Sequence, residues 1–215
     1  MSEELEQGTD AWRQARCGSL GASSVADALA RIKSGWGASR ANVMARLVVE
    51  RLTGIPQDTY TNAAMQHGVD TEPEARAAYQ FEVGVLVKQV GLIKHQTIAG
   101  THASPDGLIG DDGLLEVKCP STATHLERLL GDPIPAKYFT QMQWQMACTG
   151  RQWCDYVSFD PRVPENMRLH IERVRRHNAH IAETETQVRE FLSELEAKLA
   201  ALTSRYGVPA QKEAA

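Results

Sequence analysis

The chain has 215 residues and four cysteines, at positions 17, 119, 148 and 154, none in a Cys-x-x-Cys pair. That pattern offers no zinc ribbon or redox motif and suits a reducing compartment. An iron-sulfur cluster held by one early and three late cysteines needs a close-set late group, and Cys119 stands too far from Cys148 for that. The seven histidines include no His-x-x-x-His pair, so no zinc spacing is present. No apolar run approaches the roughly 20 residues of a membrane-spanning helix. The amino-terminal Met-Ser-Glu-Glu-Leu-Glu-Gln is acidic, unlike a secretory signal. A soluble cytoplasmic protein with no membrane partner is the expectation.

Charge of one sign is also lacking: 23 Lys and Arg face 27 Asp and Glu, a net charge of -4. Nucleic-acid-binding proteins usually leave a basic footprint, so the total argues mildly against that class. The distribution argues the other way. Residues 11–53 hold seven basic side chains (Arg13, Arg16, Arg31, Lys33, Arg40, Arg46, Arg51) against Asp27 and Glu50. A local excess of this kind fits either a positioned phosphate path or a solvated basic helix face.

With 42% hydrophobic residues the chain can build one sizeable core. We expect a polar leader over 1–10, a single domain over 11–205 and a disordered tail over 206–215. Within the domain, Ser104-Pro105-Asp106-Gly107 and Glu116-Val117-Lys118-Cys119-Pro120 flank a Gly-Asp-Asp-Gly turn and read as a β-hairpin, its second strand over 114–119. Alternation sends Glu116 and Lys118 to one face and Val117 into the core, with Asp106 entering from the neighbouring strand. Two converging carboxylates repel unless a cation joins them. Mg²⁺ is the natural candidate, because it takes oxygen ligands, keeps several waters and needs only one or two carboxylates. The Val117 carbonyl offers a third ligand, and Lys118 can serve as general base or orient the nucleophile. A solvated salt-bridged hairpin is the plain alternative.

Along the rest of the chain, Trp12 to Arg16 reads as a helical turn. Ser23 or Ser24 then caps a helix over 25–31, where Arg16 would complete an anion site. Residues 33–40 read as a flexible loop carrying Lys33 and Trp36, and an amphipathic helix over 42–52 stops at Gly54. A helical stretch over 61–67 is interrupted by Gly68 and restarts at Thr71-Glu72-Pro73-Glu74, with Thr71 and Glu74 as a capping box. Two β-rich runs fall within 83–99. Residues 121–135 read as a long loop, 138–148 as a helix with Gln141 and Gln145 on one face, and 152–159 and 167–174 as strands. A final helix over 177–202 carries an apolar stripe for its own domain or another subunit. The fold class is α/β (α+β), with a mixed sheet of about five strands.

Trp12-Arg13-x-x-Arg16 with Gly21-Ala22-Ser23, Gly68-x-x-x-Glu72, Ala103-Ser104-Pro105-Asp106-Gly107, Glu116-Val117-Lys118-Cys119-Pro120 and Gln141-x-Gln143 together resemble the phage lambda exonuclease family, the YqaJ-type viral recombinases. The likeness spans nearly the whole chain. It implies a restriction-endonuclease-like core of the PD-(D/E)xK superfamily and a two-metal Mg²⁺ site, with Mn²⁺ as a substitute. Asp106, Glu116 and the Val117 carbonyl would be ligands, Lys118 would activate the attacking water, and Glu72 and Gln141 would complete the site. Arg16, Ser23 and Ser104 are similar to a 5′-phosphate pocket. Lys33 falls where the family has a DNA-gripping arginine and Met65 where it has an apolar wedge; both depart from the pattern. The family implies a ring-shaped homotrimer that digests duplex DNA from 5′ ends, of phage or prophage origin, with a single-strand annealing protein as partner. A non-catalytic ring that binds DNA ends, or a related endonuclease, is the alternative.

Overall fold

The computed structural model describes residues 5–33, 35–57 and 63–207. In chain order these form α1 (Asp10–Arg16), β1 (Leu20–Gly21), α2 (Ala22–Ala28), a small hairpin of β2 (Arg31–Ile32) and β3 (Gly35–Trp36), α3 (Ala38–Thr53), α4 (Ala63–Val83), β4 (Val87–Lys88), β5 (Ile93–Lys94), β6 (Thr101–Ala103), β7 (Gly107–Ile109) and β8 (Gly113–Lys118). Then come α5 (Thr122–Leu129), α6 (Ala136–Thr149), β9 (Trp153–Phe159), a 3-10 turn at Glu165–Met167, β10 (Leu169–Arg175) and α7 (Asn178–Tyr206). No helix among the described residues is long and apolar enough to cross a membrane.

The main sheet has five strands and is mixed, as expected; their order is β10-β9-β8-β7-β4, and only β8 and β9 run parallel. A parallel neighbour needs a long crossover, which α5 and α6 supply. The β7–β8 hairpin turns where expected, with Gly110 at φ 51° and Ile109 opposite Gly113. Gly113 has no substitute, because a Cβ there would lie 2.2 Å from the Trp153 ring.

The two faces of β8 go to two cores. Leu115 and Val117 pack with Ala75 and Tyr79 of α4 and Val157 of β9, whereas Leu114 packs with Met142 and Met146 of α6 and Tyr156. A third core joins α2, α3, α6 and α7 around Leu20, Leu47, Trp144 and Phe191. Most of the α7 stripe belongs there, with Val188 and Leu195 buried in it, while Ile181 at the start of α7 is buried in the Leu114–Met142 core. Burying such a face is what makes a long helix stable, more than propensity.

Several expectations are corrected. Residues 121–135 are not a loop throughout, because Ser121 caps α5 by accepting the Thr124 N–H at 3.3 Å. Gly68 does not break α4, and Thr71 lies inside that helix, where it is no cap; tertiary burial of Ala75 and Tyr79 outweighs the propensity cost of glycine. Gly21, not Ser23 or Ser24, is the N-cap of α2. Within the segment expected as a loop, Gly35–Trp36 is the second strand of the β2–β3 hairpin and α3 begins at Ala38. The β-rich runs of 83–99 shrink to β4, at the edge of the main sheet, and β5, in a separate three-stranded sheet ordered β1-β6-β5. Outside these corrections, Gln7 Nε2 donates to the Val90 carbonyl at 2.7 Å and the Pro105 carbonyl at 3.0 Å. Expectations for Thr61 and for 208–215 lie outside the described residues.

Candidate active site

Glu116 and Lys118 leave β8 on one face, as alternation requires, and enter a cavity of about 660 Å³. Strand β7 begins only at Gly107, opposite Leu115, so it leaves the edge of β8 at Val117 uncovered. Asp106 fills that gap, its Oδ2 accepting the Val117 N–H at 2.7 Å. Glu116 is only 1% exposed. Its Oε1 pairs with the Lys118 ammonium and accepts from Gln141 Nε2 at 2.6 Å, while Oε2 accepts from Gln145 Nε2 at 2.5 Å. Glu72 comes from α4, and Arg76 one turn later ties it in: one Arg76 nitrogen donates to Glu72 Oε1 and to the Asp106 backbone carbonyl, both at 3.0 Å.

Negative charge is crowded here. Burial, then Glu116, then Glu72 push the Asp106 carboxyl well above the usual carboxylate range, against the pull of Lys118 and the Val117 N–H. Burial disfavours the Lys118 ammonium, but Glu116 and Asp106 outweigh it and raise that pKa above its ordinary value. A buried carboxylate pair under mutual repulsion, beside the backbone carbonyl of Val117, fits a hard divalent cation that takes oxygen ligands. Among the described residues no three His, Cys, Asp or Glu side chains cluster as a metal cage; any such ion would rest on the two carboxylates and backbone. Cys119 beside them is not a reactive thiol, since burial, Glu72 and Asp106 push it up to about 12.

The same cavity is lined by Arg16, Ser23, Ser104 and Met65, so all the expected site residues except Lys33 meet there. Lys33 is exposed at the β2–β3 turn, outside this cavity. Trp12 ties this wall together: its Nε1 donates to the Gly91 carbonyl at 2.8 Å and to Ser104 Oγ at 3.3 Å, and the Arg16 guanidinium stacks 3.9 Å above its ring. Arg16 Nε donates to His102 Nε2 at 3.1 Å, so that nitrogen carries a lone pair and Nδ1–H donates to Ser19 Oγ at 2.8 Å. Burial, then Arg16 and Arg46, lower the His102 pKa to about 3, which keeps the ring neutral. Gly21 makes room for it: a Cβ there would stand 2.9 Å from His102 Nε2.

Sequence reading missed Arg76, His102 and the role of Gln145, and it named Arg46 only as one of the basic residues of 11–53. Gln145 had a signal, its four-residue spacing from Gln141; Arg76 had the same spacing from Glu72. His102 had none. Gln143, though part of the family-like motif, faces elsewhere, donating to the Arg175 carbonyl at 2.9 Å and accepting the His177 N–H at 2.8 Å.

A profile of the YqaJ-like viral recombinase domain matches residues 11–152, and the chain belongs to that family. Among solved structures, an alkaline exonuclease from Laribacter hongkongensis, LHK-Exo, is 52% identical over 92% of this chain and 97% of that one, with a TM-score of 0.84. LHK-Exo in complex with dAMP gives a TM-score of 0.85 at the same identity and coverage. A phage-related exonuclease from Haemophilus somnus 129PT shares the fold at 14% identity, with a TM-score of 0.66 over 86% of this chain and 96% of that one. Comparison with curated proteins gave no significant match. Family and relatives together support a recombination-related exonuclease.

Proposed function

We propose that this protein is a Mg²⁺-dependent, processive 5′-to-3′ exonuclease of linear double-stranded DNA. It degrades the 5′-ended strand to 5′-mononucleotides and leaves a 3′ single strand for an annealing protein in homologous recombination. The observation that carries this reading is the meeting, in one cavity, of Asp106, Glu116, Lys118, Gln141 and Glu72 with the anion-binding side chains of Arg16, Ser23 and Ser104. The dAMP complex of LHK-Exo supports a product of that class, a nucleotide with its phosphate at the 5′ end.

In this reading Asp106, Glu116 and the Val117 carbonyl hold Mg²⁺, with Mn²⁺ as an acceptable substitute; when bound, the ion supplies Lewis-acid stabilisation of a phosphodiester under attack. Gln141 and Gln145 fix both oxygens of Glu116, so the carboxylate cannot rotate away. Arg76 fixes Glu72. Lys118 orients and activates a water, whose oxygen bonds to phosphorus as the bond to the 3′-oxygen breaks. The leaving 3′-oxygen takes a proton, and the strand that remains carries a new 5′-phosphate. Arg16, Ser23 and Ser104 bind the terminal phosphate of the nucleotide being removed, which sets direction. Met65, exposed on the cavity wall, serves as the wedge at the terminal base pair. A ring-shaped homotrimer around the duplex belongs to the same proposal, since encirclement keeps an acidic protein on DNA without a large counterion-release affinity.

Lys118→Ala should lower the rate of nucleotide release from linear duplex DNA by about 10²–10⁴-fold while leaving DNA binding largely intact, measured by mononucleotide release and by fluorescence anisotropy. Unchanged turnover in the variant would remove Lys118 from the chemistry.

A further inference from the structure

A second cavity, of about 620 Å³, continues past Arg16 from the catalytic one, and Arg46 and Ser24 line it but not its neighbour. Arg46 Nη2 donates to Ser24 Oγ at 3.1 Å, in the first turn of α2. Arg16 is held by His102 and Trp12. Neither guanidinium has a carboxylate partner among the described residues, unlike Arg13 with Asp10 or Arg40 with Glu194, each at 2.8 Å. Two carboxylates do reach this cavity. Asp10 is the partner of Arg13, and Glu50 is committed to backbone, its Oε2 accepting the Gly18 N–H at 2.8 Å and its Oε1 the Gln57 N–H at 3.2 Å.

We propose that Arg46, propped by Ser24, and Arg16, propped by His102, form a two-arginine clamp selective for the dianionic phosphomonoester of a 5′ end over a monoanionic backbone phosphodiester. This rests on the exonuclease reading and adds a specificity-determining residue to it. A terminal phosphate carries close to two negative charges above its second pKa of about 6, whereas an internal phosphate carries one. Guanidinium forks suit such oxygens, and two of them match the terminal charge. Arg46 contributes, after burial, to lowering the Arg16 pKa, with Glu50 opposing as the smallest effect; a dianion between the two arginines relieves that repulsion. His102 adds no charge of its own, because it is neutral. The clamp thus distinguishes an end from the interior of a strand without reading any base.

The test compares wild type with Arg46→Gln on linear duplexes bearing 5′-phosphate or 5′-hydroxyl ends. The ratio of the two kcat/KM values should fall by about tenfold or more in the variant, the cost of losing a charge-assisted hydrogen bond. Arg46→Lys should restore part of it, since charge returns without the fork. Ser24→Ala should move the ratio the same way by less, and it serves if Arg46→Gln does not fold. An unchanged ratio in a folded variant overturns the clamp. Direct calorimetric binding of dAMP at pH 8, against deoxyadenosine as control, keeps this separate from the exonuclease reading. If wild type cuts nothing, that reading falls, yet dAMP should still bind wild type about tenfold or more tighter than Arg46→Gln; equal binding sinks the clamp as well.

Discussion

Glu116 is held from three directions, and the residues that hold it were legible in the sequence to different degrees. Lys118 follows from strand alternation alone. Gln141 and Gln145 follow from helical spacing once their helix is recognised, but spacing does not say which glutamines on α6 turn toward the sheet. Gln143 shares the motif and points to β10 instead. His102 was invisible for a physical reason: its partners, Ser19 and Arg16, lie more than 80 positions away, and a lone histidine carries no periodicity. Its environment nevertheless has a measurable signature. The folded-state pKa of about 3 lies below the unfolded value of about 6.5, so between those values the unfolded chain binds the extra proton. The stability tied to a neutral His102 is present above pH 6.5 and is lost as pH falls toward 3, about 2 kcal/mol of it by pH 5. His102→Gln removes that titration. Urea unfolding of both proteins at pH 7.5 and pH 5 should show wild type losing about 2 kcal/mol more than the variant; equal losses would mean that the ring is not held neutral.

Helix α4 joins the site to the sheet. It carries Met65, near its start, and Glu72, at its middle, to the cavity, and further on it anchors to β9: the Tyr79 hydroxyl donates to Asp155 Oδ2 at 2.6 Å, and Arg173 grips the same carboxylate at 2.7 and 2.9 Å. Arg173 also stacks 3.6 Å over Trp153. Tyr79→Phe leaves Asp155 paired with Arg173 but short of one buried partner, which costs about 1–3 kcal/mol. The urea midpoint should fall accordingly with its slope unchanged; no shift in midpoint would show that Asp155 needs no second partner. The β7–β8 hairpin and β9 were readable because turn residues and alternation are local signals. The continuity of α4 was not. Gly68 and Pro73 argue locally for a break, and Pro73 does remove one helical hydrogen bond, the one to the Val69 carbonyl. The burial of Ala75 and Tyr79 overrides both. In α5 the cap of Ser121 and the terminal Gly131 were present, but Pro133 and Pro135 close behind made the segment read as a loop.

For the molecule as a whole, the arginine-rich stretch from 11 to 53 is narrower as a phosphate path than its composition suggests. Arg40 and Arg51 pair with Glu194 and Glu196 of α7, and Arg13 pairs with Asp10. Arg31 and Arg40 sandwich Trp36, at 3.9 and 3.6 Å. Much of this positive charge therefore builds the fold, and what reaches the cavities is chiefly Arg16 and Arg46. Composition could locate the basic region but not divide it, because the partners sit on a helix at the far end of the chain. In an acidic molecule, two guanidiniums without a carboxylate partner among the described residues, beside a carboxylate site, fit the proposed action on strand ends better than a coating of DNA. The most direct measurement incubates the protein and Mg²⁺ with linear duplex DNA bearing 5′-phosphate or 5′-hydroxyl ends and, separately, with closed circular duplex. Only the linear DNA should be degraded, faster when phosphorylated, releasing 5′-mononucleotides and leaving 3′ single strands; nicking of the closed circles, or binding of ends without release of nucleotides, would contradict an end-directed exonuclease.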